Sequence, residues 1–486
     1  MNNKPNVVIC IGGIYVGLWL SVSKLLSTEY NVVITTGTFN KGLIKNNFPN
    51  IQVSVENKDE MYKNIVQEEL SQVDFVLKAR EFEEKYNETL AMIMSYDRGL
   101  GKGYIFNADK HPYQAKEYWC YELKIREILK EFIYWEYIVE KYSPVLLLAA
   151  TPNKILSLIA KKKGLTFLLL GNLRFGDRWF WVENEYDQNS AYIKSVRKYV
   201  KSISNTRVTE TPIEYIRSVI AERDNQVLYG YCHSIKELVS RFPGDLYRFL
   251  IGYYIKNQGY RFLGWYPVIL RRTYIYNYFK KYGRRPDDVR NYKLVFFPLH
   301  LEPEISLLFK SPEQNNSMEI ISWISKSLPA DTMLVLKEQP MAYGVRSKSY
   351  YDNFRKIGNV ILSSPEIDSW EWIKQARIIA TIAGTAGTEA VYFEKPVLSF
   401  GKHQVINYLP SVRYVNSFEL VKDAVKELLT LTPDDIIFKE SKAAFCHAQN
   451  ESSFRMAGLE KLSKSKKLHM DLAEQVVASL KEHYYP

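Results

Sequence analysis

The sequence predicts an α/β chain built from two parallel-sheet units, and three observations carry that reading. Short runs rich in Val, Ile, Leu and Phe recur along the chain. Helical stretches separate them, the pattern of strands buried on both faces under covering helices. The series also occurs twice, on either side of a segment of different character near Gln226–Arg290. At 486 residues the chain is too long for one core, which fits two domains of ordinary size.

In the first series "NVVICI" reads as a strand, "GLWLSVSKLL" as a helix and "NVVITT" as a second strand. The run "DFVLKA", a long helix from about Lys116 to Lys141, and the runs "PVLLLAA" and "LTFLLLG" follow. The intervening segment is crowded with Tyr, Phe and Trp, with Arg and Lys interleaved. The second series begins at Tyr292: "KLVFFP", a helix near Met318–Ser327, "TMLVLKE", a helix near Ser349, "NVIL", a helix from Asp368, "RIIATIAG", a helix, and "PVLSFG". Asp368 and Glu371 have the spacing of a capping box. After about Thr432 the chain reads as helical to its end. The expected division is 1–225 for an N-terminal Rossmann-like domain, 226–290 for an aromatic and basic helical connector, 291–431 for a C-terminal Rossmann-like domain, and 432–486 for terminal helices.

Hydrophobic residues make up 46% and charged residues 24%, a globular balance. Cys10, Cys120, Cys232 and Cys446 lie far apart with no C-x-x-C pair, which fits a reducing compartment and not a cysteine zinc site. The stretch "VVICIGGIYVGLWL" follows a single Lys4, lacks a small-residue cleavage site and is too short to span a bilayer. It reads as strand, turn and helix, and the protein as cytoplasmic. A net charge of +11 points to an anionic partner, although much of it is scattered lysine.

In the second series, polar residues fall just beyond successive strands. His300, Glu302 and Glu304 follow "KLVFFP"; Gln339, Pro340 and Arg346 follow "MLVLKE"; Gly384, Thr385, Gly387 and Glu389 follow "RIIATIA"; Lys402 and His403 follow "VLSFG". Four such strand ends imply a site along one edge of the sheet. Gly384 and Gly387 allow a tight turn and close backbone approach. The helix start near Ala386–Thr388 presents N–H groups to a phosphate. Glu389, one turn in, can accept hydrogen bonds from a vicinal diol such as ribose. The other reading gives the glycines to helix–strand packing and Glu389 to an exposed helix face; the company of the other strand ends favours binding. Gln339 can donate to a phosphate or carboxylate, and Arg346 can clamp either one bidentately. Glu302 and Glu304 read equally well as acids favouring a helix start. Paired α/β units with a ligand beyond the strand ends suggest a GT-B-like architecture, two Rossmann-like domains facing a cleft.

The segments "FFPLHLEPEISLL", "KEQPMAYGVRSKSYYDNF" and "SSPEIDSWEWIKQARIIATIAGTAGTEAVYFEKPVLSFGKH" resemble the capsule polysaccharide biosynthesis proteins over about Lys293–His403. "YDRGLGKGY" and "GNLRFGDRWF" in the first series resemble the family more loosely. The resemblance implies a GT-B fold and transfer of a sugar from a nucleotide donor to a growing surface glycan. For its Kdo-transferring (3-deoxy-octulosonate) members it implies a CMP-activated donor and no divalent metal or other cofactor. Carried over by position, Glu389 and the Gly384–Gly387 turn, with Thr385 and Thr388, would hold the nucleotide. Lys337, Gln339 and Pro340 stand where the family usually shows Lys-x-His-Pro. Gln339 keeps a donor but carries neither a proton nor a charge at neutral pH.

The "PDD" triplets at Pro286–Asp288 and Pro433–Asp435 read as caps, and the histidines lack metal-ligand spacing. An acceptor hydroxyl needs a base; Asp97, in "YDRGLGKGY", is the candidate, with a turn aspartate as the alternative. Gly12, Gly13 and Gly17 lack the dinucleotide spacing and the acid that closes the second strand. The aromatic and basic stretch Tyr247–Arg285 reads first as a packed helical element and second as a peripheral membrane contact; no nucleic-acid-binding signature accompanies it. The expected function is therefore a nucleotide-sugar-dependent transferase acting on a glycan or lipid-linked acceptor. Its rivals are a sugar-nucleotide epimerase and a catalytically silent scaffold of a glycan-assembly complex.

Overall fold

The computed structural model describes residues 4–12, 15–37, 44, 54–62, 74–97, 100–101, 113–114, 121–173, 178–186, 188–203, 235–250, 259–260, 265–302, 304–456, 467 and 469–484. Gly13, Arg98, Gly99, Cys120, Cys232, the 225/226 boundary, residues 102–104 and 174–177, and parts of the 247–285 stretch lie outside the described residues. Two compact units result: Met1–Met94 with Tyr118–Tyr192 and Gln449–Pro486, and Ser95–Glu117 with Ile193–Ala448.

The first unit holds strands β1 (Asn6–Cys10), β2 (Asn31–Thr36) and β3 (Ser54–Asn57). A two-residue strand of the second unit, β4 (Tyr113–Gln114), comes next in the chain, followed by β5 (Leu146–Ala149), β6 (Thr166–Asn172) and β7 (Arg178–Val182) of the first. After β8 (Gly259–Tyr260), which pairs with β4, the second unit continues with β9 (Lys293–Pro298), β10 (Thr332–Lys337), β11 (Val360–Leu362), β12 (Ile378–Thr381), β13 (Val397–Ser399) and β14 (Val412–Tyr414). The last strand, β15 (Phe454–Arg455), returns to the first unit.

The first sheet runs β15-β7-β6-β5-β1-β2-β3, parallel from β3 to β6 and antiparallel at β7 and β15. Its middle strands are buried Val, Ile and Leu. The helix Val16–Leu26 contributes Leu18, Trp19, Leu20 and Val22 to the same core. Two expectations fail here. "DFVLKA" is not a buried strand: Asp74 caps the helix Phe75–Tyr86, accepting from the N–H of Val76 at 2.9 Å and Leu77 at 3.2 Å. Val76 and Leu77 consequently face solvent. Nor is the chain helical throughout after Thr432, since β15 separates the helices Ile436–Ser452 and Met470–Tyr484 and pairs with β7.

The second sheet runs β11-β10-β9-β12-β13-β14, with every neighbouring pair parallel. Counted within the sheet the order is 3-2-1-4-5-6, the doubly wound arrangement in which strand order reverses between β9 and β12. Near-continuous burial of Leu294–Phe297, Leu334–Leu336 and Ile378–Ala380 explains the parallel sheet, because strands covered on both faces need no polar alternation. Each such side chain contributes on the order of 1.5–3 kcal/mol when fully buried. Helices form at Ser317–Ser327, Lys348–Arg355 and Ser369–Gln375, where the sequence expects them. The capping box is present: Asp368 accepts from Trp370 N–H at 2.7 Å, and the Glu371 carboxylate accepts from Asp368 N–H at 3.3 Å.

The aromatic stretch is packed in part. In the helix Trp265–Tyr282, Ile275, Tyr278 and Phe279 join the core of the second sheet, whereas Leu270 and Tyr274 are exposed. Both "PDD" triplets are caps: Asp288 accepts from Arg285 N–H at 2.8 Å and Asp435 from Thr432 N–H at 2.6 Å.

Candidate active site at the carboxyl edge of the second sheet

The chain leaving β9 and the chain leaving β12 meet at the point where strand order reverses. Nε2 of His300 accepts from the N–H of Ala383 at 3.1 Å. The neutral imidazole therefore carries its proton on Nδ1. Gly384 lies against the same ring; a Cβ built there would sit 3.2 Å from His300 Nε2 and 3.2 Å from Thr381 Oγ1. Thr381 Oγ1 accepts from the N–H of Gly384 at 3.0 Å, fixing the turn that opens the helix Thr385–Tyr392.

Gly384 is the N-cap of that helix and has no side chain with which to satisfy the first-turn amides. The Gly387 N–H leans on the Gly384 carbonyl at 3.4 Å; the amides at a helix start lack i−4 acceptors, and with the helix dipole they favour an anion. Glu389 follows one turn later and is buried. Its carboxylate is held at both oxygens: Thr385 Oγ1 donates to Oε1 at 3.2 Å and the Trp370 indole N–H donates to Oε2 at 3.0 Å. Glu389 is thus not the exposed helix residue of the plainer reading. Gly387, in contrast, serves packing: a Cβ there would lie 2.6 Å from Ile406 Cδ1 and 2.8 Å from Thr381 Cγ2. Thr388 is half-buried on the same helix.

Beyond β10, the arrangement departs from expectation. Arg346 is 2% exposed and bonds within the fold. Its Nη1 donates to both oxygens of Glu338 at 2.8 Å, and its Nη2 reaches Glu302 Oε2 at 3.2 Å and the carbonyl oxygen of His300. The bidentate clamp anticipated from the sequence exists, but on the chain's own carboxylate. Burial alone would ease the proton off Arg346; Glu338, with Tyr350 and Glu302, more than offsets it and holds the guanidinium charged. Tyr351 donates to Glu338 Oε2 at 2.6 Å, and burial, reinforced by Glu338, keeps that phenol protonated. Glu302 also accepts from the hydroxyl of Ser317. Arg346 therefore ties the loops after β9 and β10 together and acts inside the fold, not as a ligand group. Glu302 is a partner in that network and also accepts at 3.4 Å from the Ser317 N–H, at the start of the helix Ser317–Ser327, while Glu304 is the N-cap of the helix Ile305–Lys310, with no side-chain cap bond.

Gln339 stands where Arg346 leaves off. Its N–H donates to Glu338 Oε1 at 2.7 Å, and Pro340 opens a short 3-10 turn. Its side-chain oxygen is buried and makes no hydrogen bond. The Lys337 side chain is buried at the end of β10, and Lys337 O accepts from Leu299 N–H at 2.8 Å. After β13, Lys402 pairs with Glu313 at 3.1 Å, and His403 is anchored by its N–H to Lys310 O at 3.0 Å.

Asp97 groups with the second unit, its neighbour Tyr96 packing on Phe309 with ring centres 4.8 Å apart. Asp97 is exposed and its Oδ1 accepts from Leu100 N–H at 2.7 Å, the geometry of a turn aspartate. Among the described residues no cluster of three or more His, Cys, Asp or Glu side chains forms a candidate metal site. Trp370 and Thr381 are the site residues that sequence reasoning passed over. The capping box placed Trp370 at a helix start, but nothing in its spacing pointed to Glu389.

Comparison with known proteins adds the following. No curated protein matches the chain. Among solved structures it is similar to the beta Kdo 2,7 transferase KpsC of Thermosulfurimonas dismutans, at 13% identity over 72% of this chain and 88% of that one, with a TM-score of 0.34. It is also similar to Staphylococcus aureus MnaA with UDP (13% identity, 99% and 96% covered, TM-score 0.26). A third is the UDP-GlcNAc 2-epimerase of Methanocaldococcus jannaschii in complex with UDP-GlcNAc and UDP (11% identity, 91% and 97% covered, TM-score 0.27). The sequence pattern of the capsule polysaccharide biosynthesis protein family matches residues 237–405, which contain β9 to β13, the His300 loop, the Arg346 network and the Gly384–Glu389 turn.

Proposed function

We propose that the protein is a glycosyltransferase of bacterial surface-polysaccharide synthesis that binds its nucleotide-sugar donor at the carboxyl edge of the second sheet. The observation that carries the reading is the joint presence of an uncapped helix start at Gly384 and a buried, oriented carboxylate at Glu389, inside the family segment. The helix N-terminus takes the donor phosphate, in the place a divalent cation fills in other transferases. Glu389 accepts from the ribose hydroxyls. Lys337 and Gln339 face the sugar or its carboxylate, with Pro340 directing the chain and His300, Glu304 and His403 on the neighbouring strand ends.

In the transfer, the acceptor hydroxyl oxygen bonds to the anomeric carbon. The bond from that carbon to the phosphate oxygen breaks, and the nucleotide leaves with the electron pair. The acceptor's proton passes to a carboxylate, a role we assign to Asp97. The donor proposed is a CMP-activated ulosonic acid such as Kdo, and the acceptor a glycan or lipid-linked glycan on the cytoplasmic side of the membrane.

The test is incubation of the purified protein with CMP-Kdo or with UDP-hexoses, with and without surface-glycan acceptors, read by mass spectrometry. A glycosylated acceptor formed from CMP-Kdo, and lost in Asp97→Asn with donor binding intact, is the expected result. Free UDP-sugar isomers formed without an acceptor would replace this reading with an epimerase. Donor binding without any turnover would replace it with a silent scaffold.

A further inference from the structure

Among its described side chains, the helix Ile235–Leu250 turns an apolar face to solvent. Val239, Leu246 and Leu250 lie at i, i+7 and i+11, one face of a helix, and are 67%, 38% and 73% exposed. Phe242 and Phe249 fall on the same face and are 44% and 49% exposed, with Tyr247 at its margin 64% exposed. Among the described side chains of this helix the buried one is Asp245, at 9%. A helix that merely covers a core would show the opposite pattern. Leu270 and Tyr274, one turn apart on the helix Trp265–Tyr282, are also mostly exposed, at 61% and 56%.

Charge supplies the second observation. Between Ile235 and Arg285 the sequence contains eleven Lys or Arg and two acidic residues. Nearly all of the chain's net charge of +11 thus resides in this stretch. Within that count Arg272 is buried, and Lys280 and Arg285 pair with Glu366; a second copy of the chain would carry the same positive charge in the same stretch. An anionic bilayer meets both features at once: headgroup phosphates pair with the basic side chains while the apolar face enters the boundary with the acyl chains, about 5–10 Å deep.

We propose that the helix Ile235–Leu250 is an interfacial membrane-docking element that binds anionic lipid, with Leu270 and Tyr274 as further apolar contacts. Among the described residues no helix is long and apolar enough to cross a membrane, so the attachment is peripheral and reversible. The element orients the enzyme toward acceptors displayed at the bilayer surface. The inference stands apart from the donor reading, because lipid binding is measured without any sugar nucleotide.

The experiment is vesicle flotation of the full chain with phosphatidylcholine alone and with phosphatidylcholine containing phosphatidylglycerol, in low and high salt. The protein is expected to float with the anionic vesicles, not with the neutral ones, and to be released as salt screens the basic residues. A Val239→Ser, Leu246→Ser, Leu250→Ser variant is expected to keep its circular dichroism spectrum and melting temperature and to lose vesicle partitioning by about a hundredfold. Absence of flotation by the unaltered protein would overturn the proposal without reference to any variant. So would equal flotation of the folded triple variant, or a dimer in solution that the triple variant dissolves while vesicles bind neither form.

Discussion

The indole N–H of Trp370 donates to Oε2 of Glu389 at 3.0 Å, while Thr385 Oγ1 holds Oε1 at 3.2 Å. A helix-start residue that β12 separates in sequence from the glycine turn thus sets the orientation of the turn's carboxylate. Replacing Trp370 by Phe keeps the ring, which packs edge-on to Phe393, and deletes the donor. Hydrogen bonds to charged groups contribute about 1.5–3 kcal/mol, so Trp370→Phe should weaken nucleotide binding roughly tenfold or more. It should also narrow the preference for ribose over 2′-deoxyribose nucleotides, which titration calorimetry with both series would read.

The two glycines of the turn should behave differently. Gly387→Ala forces a Cβ to 2.6 Å from Ile406 and 2.8 Å from Thr381, and overpacking of this kind costs about 1–3 kcal/mol. Its melting temperature should fall by several degrees. Gly384→Ala puts a Cβ 3.2 Å from His300 and from Thr381, a tight contact that those side chains must relieve, so it should cost less stability than Gly387→Ala while reducing nucleotide affinity. Thermal melts with and without nucleotide separate the two effects.

Arg346 should prove structural. Removing one partner of a buried ion pair costs about 3–5 kcal/mol because the other charge is stranded. Arg346→Ala leaves Glu338 and Glu302 unneutralised and should unfold at markedly lower denaturant. Tyr351→Phe removes only the phenol that donates to the Glu338 carboxylate and should cost less, about 1.5–3 kcal/mol. Urea titrations of both variants provide the comparison.

The first unit supplies a pH prediction. Burial pushes the Glu185 carboxyl up, but Lys154 at 2.8 Å, with the Ser157 hydroxyl, outweighs it and holds the group below its ordinary value of 4.5. A depressed carboxylate contributes stability above its unfolded pKa and loses it as pH falls through the folded one. Stability from this pair should therefore be complete at neutral pH and decline below about pH 4.5. Glu185→Gln should lower stability at pH 7 and narrow the gap to the unaltered protein in acid, as urea melts across that range would show.

Much of this architecture was legible because hydrophobic period and chain punctuation act locally. "KLVFFP" and "TMLVLK" coincide with β9 and β10. The Asp368–Glu371 capping box starts its helix as expected. Asp74 escaped notice because its cap is followed by apolar Val76 and Leu77, which imitate a buried strand yet lie exposed. β15 has two residues and no pattern of its own; its pairing with β7 is set by the return of the chain to the first unit.

The site was legible to the same depth. The glycine turn and Glu389 stand out through residue type and spacing within one segment. The fate of Arg346 did not, since Glu302 lies on another loop and only the folded sheet brings it within 3.2 Å. The same holds for Trp370, whose partner is decided by how two neighbouring helices pack.

The most direct test of the central claim is a thermal-shift panel of CMP, UDP, GDP and ADP on the purified full-length chain, run beside Glu389→Ala. A ligand that binds only the folded protein raises its melting temperature by mass action. Stabilisation by CMP is expected, absent from the Glu389→Ala variant at an otherwise similar melting temperature. Stabilisation by none of the four, or a CMP response equal in the variant, would contradict a nucleotide site at the Gly384–Glu389 turn.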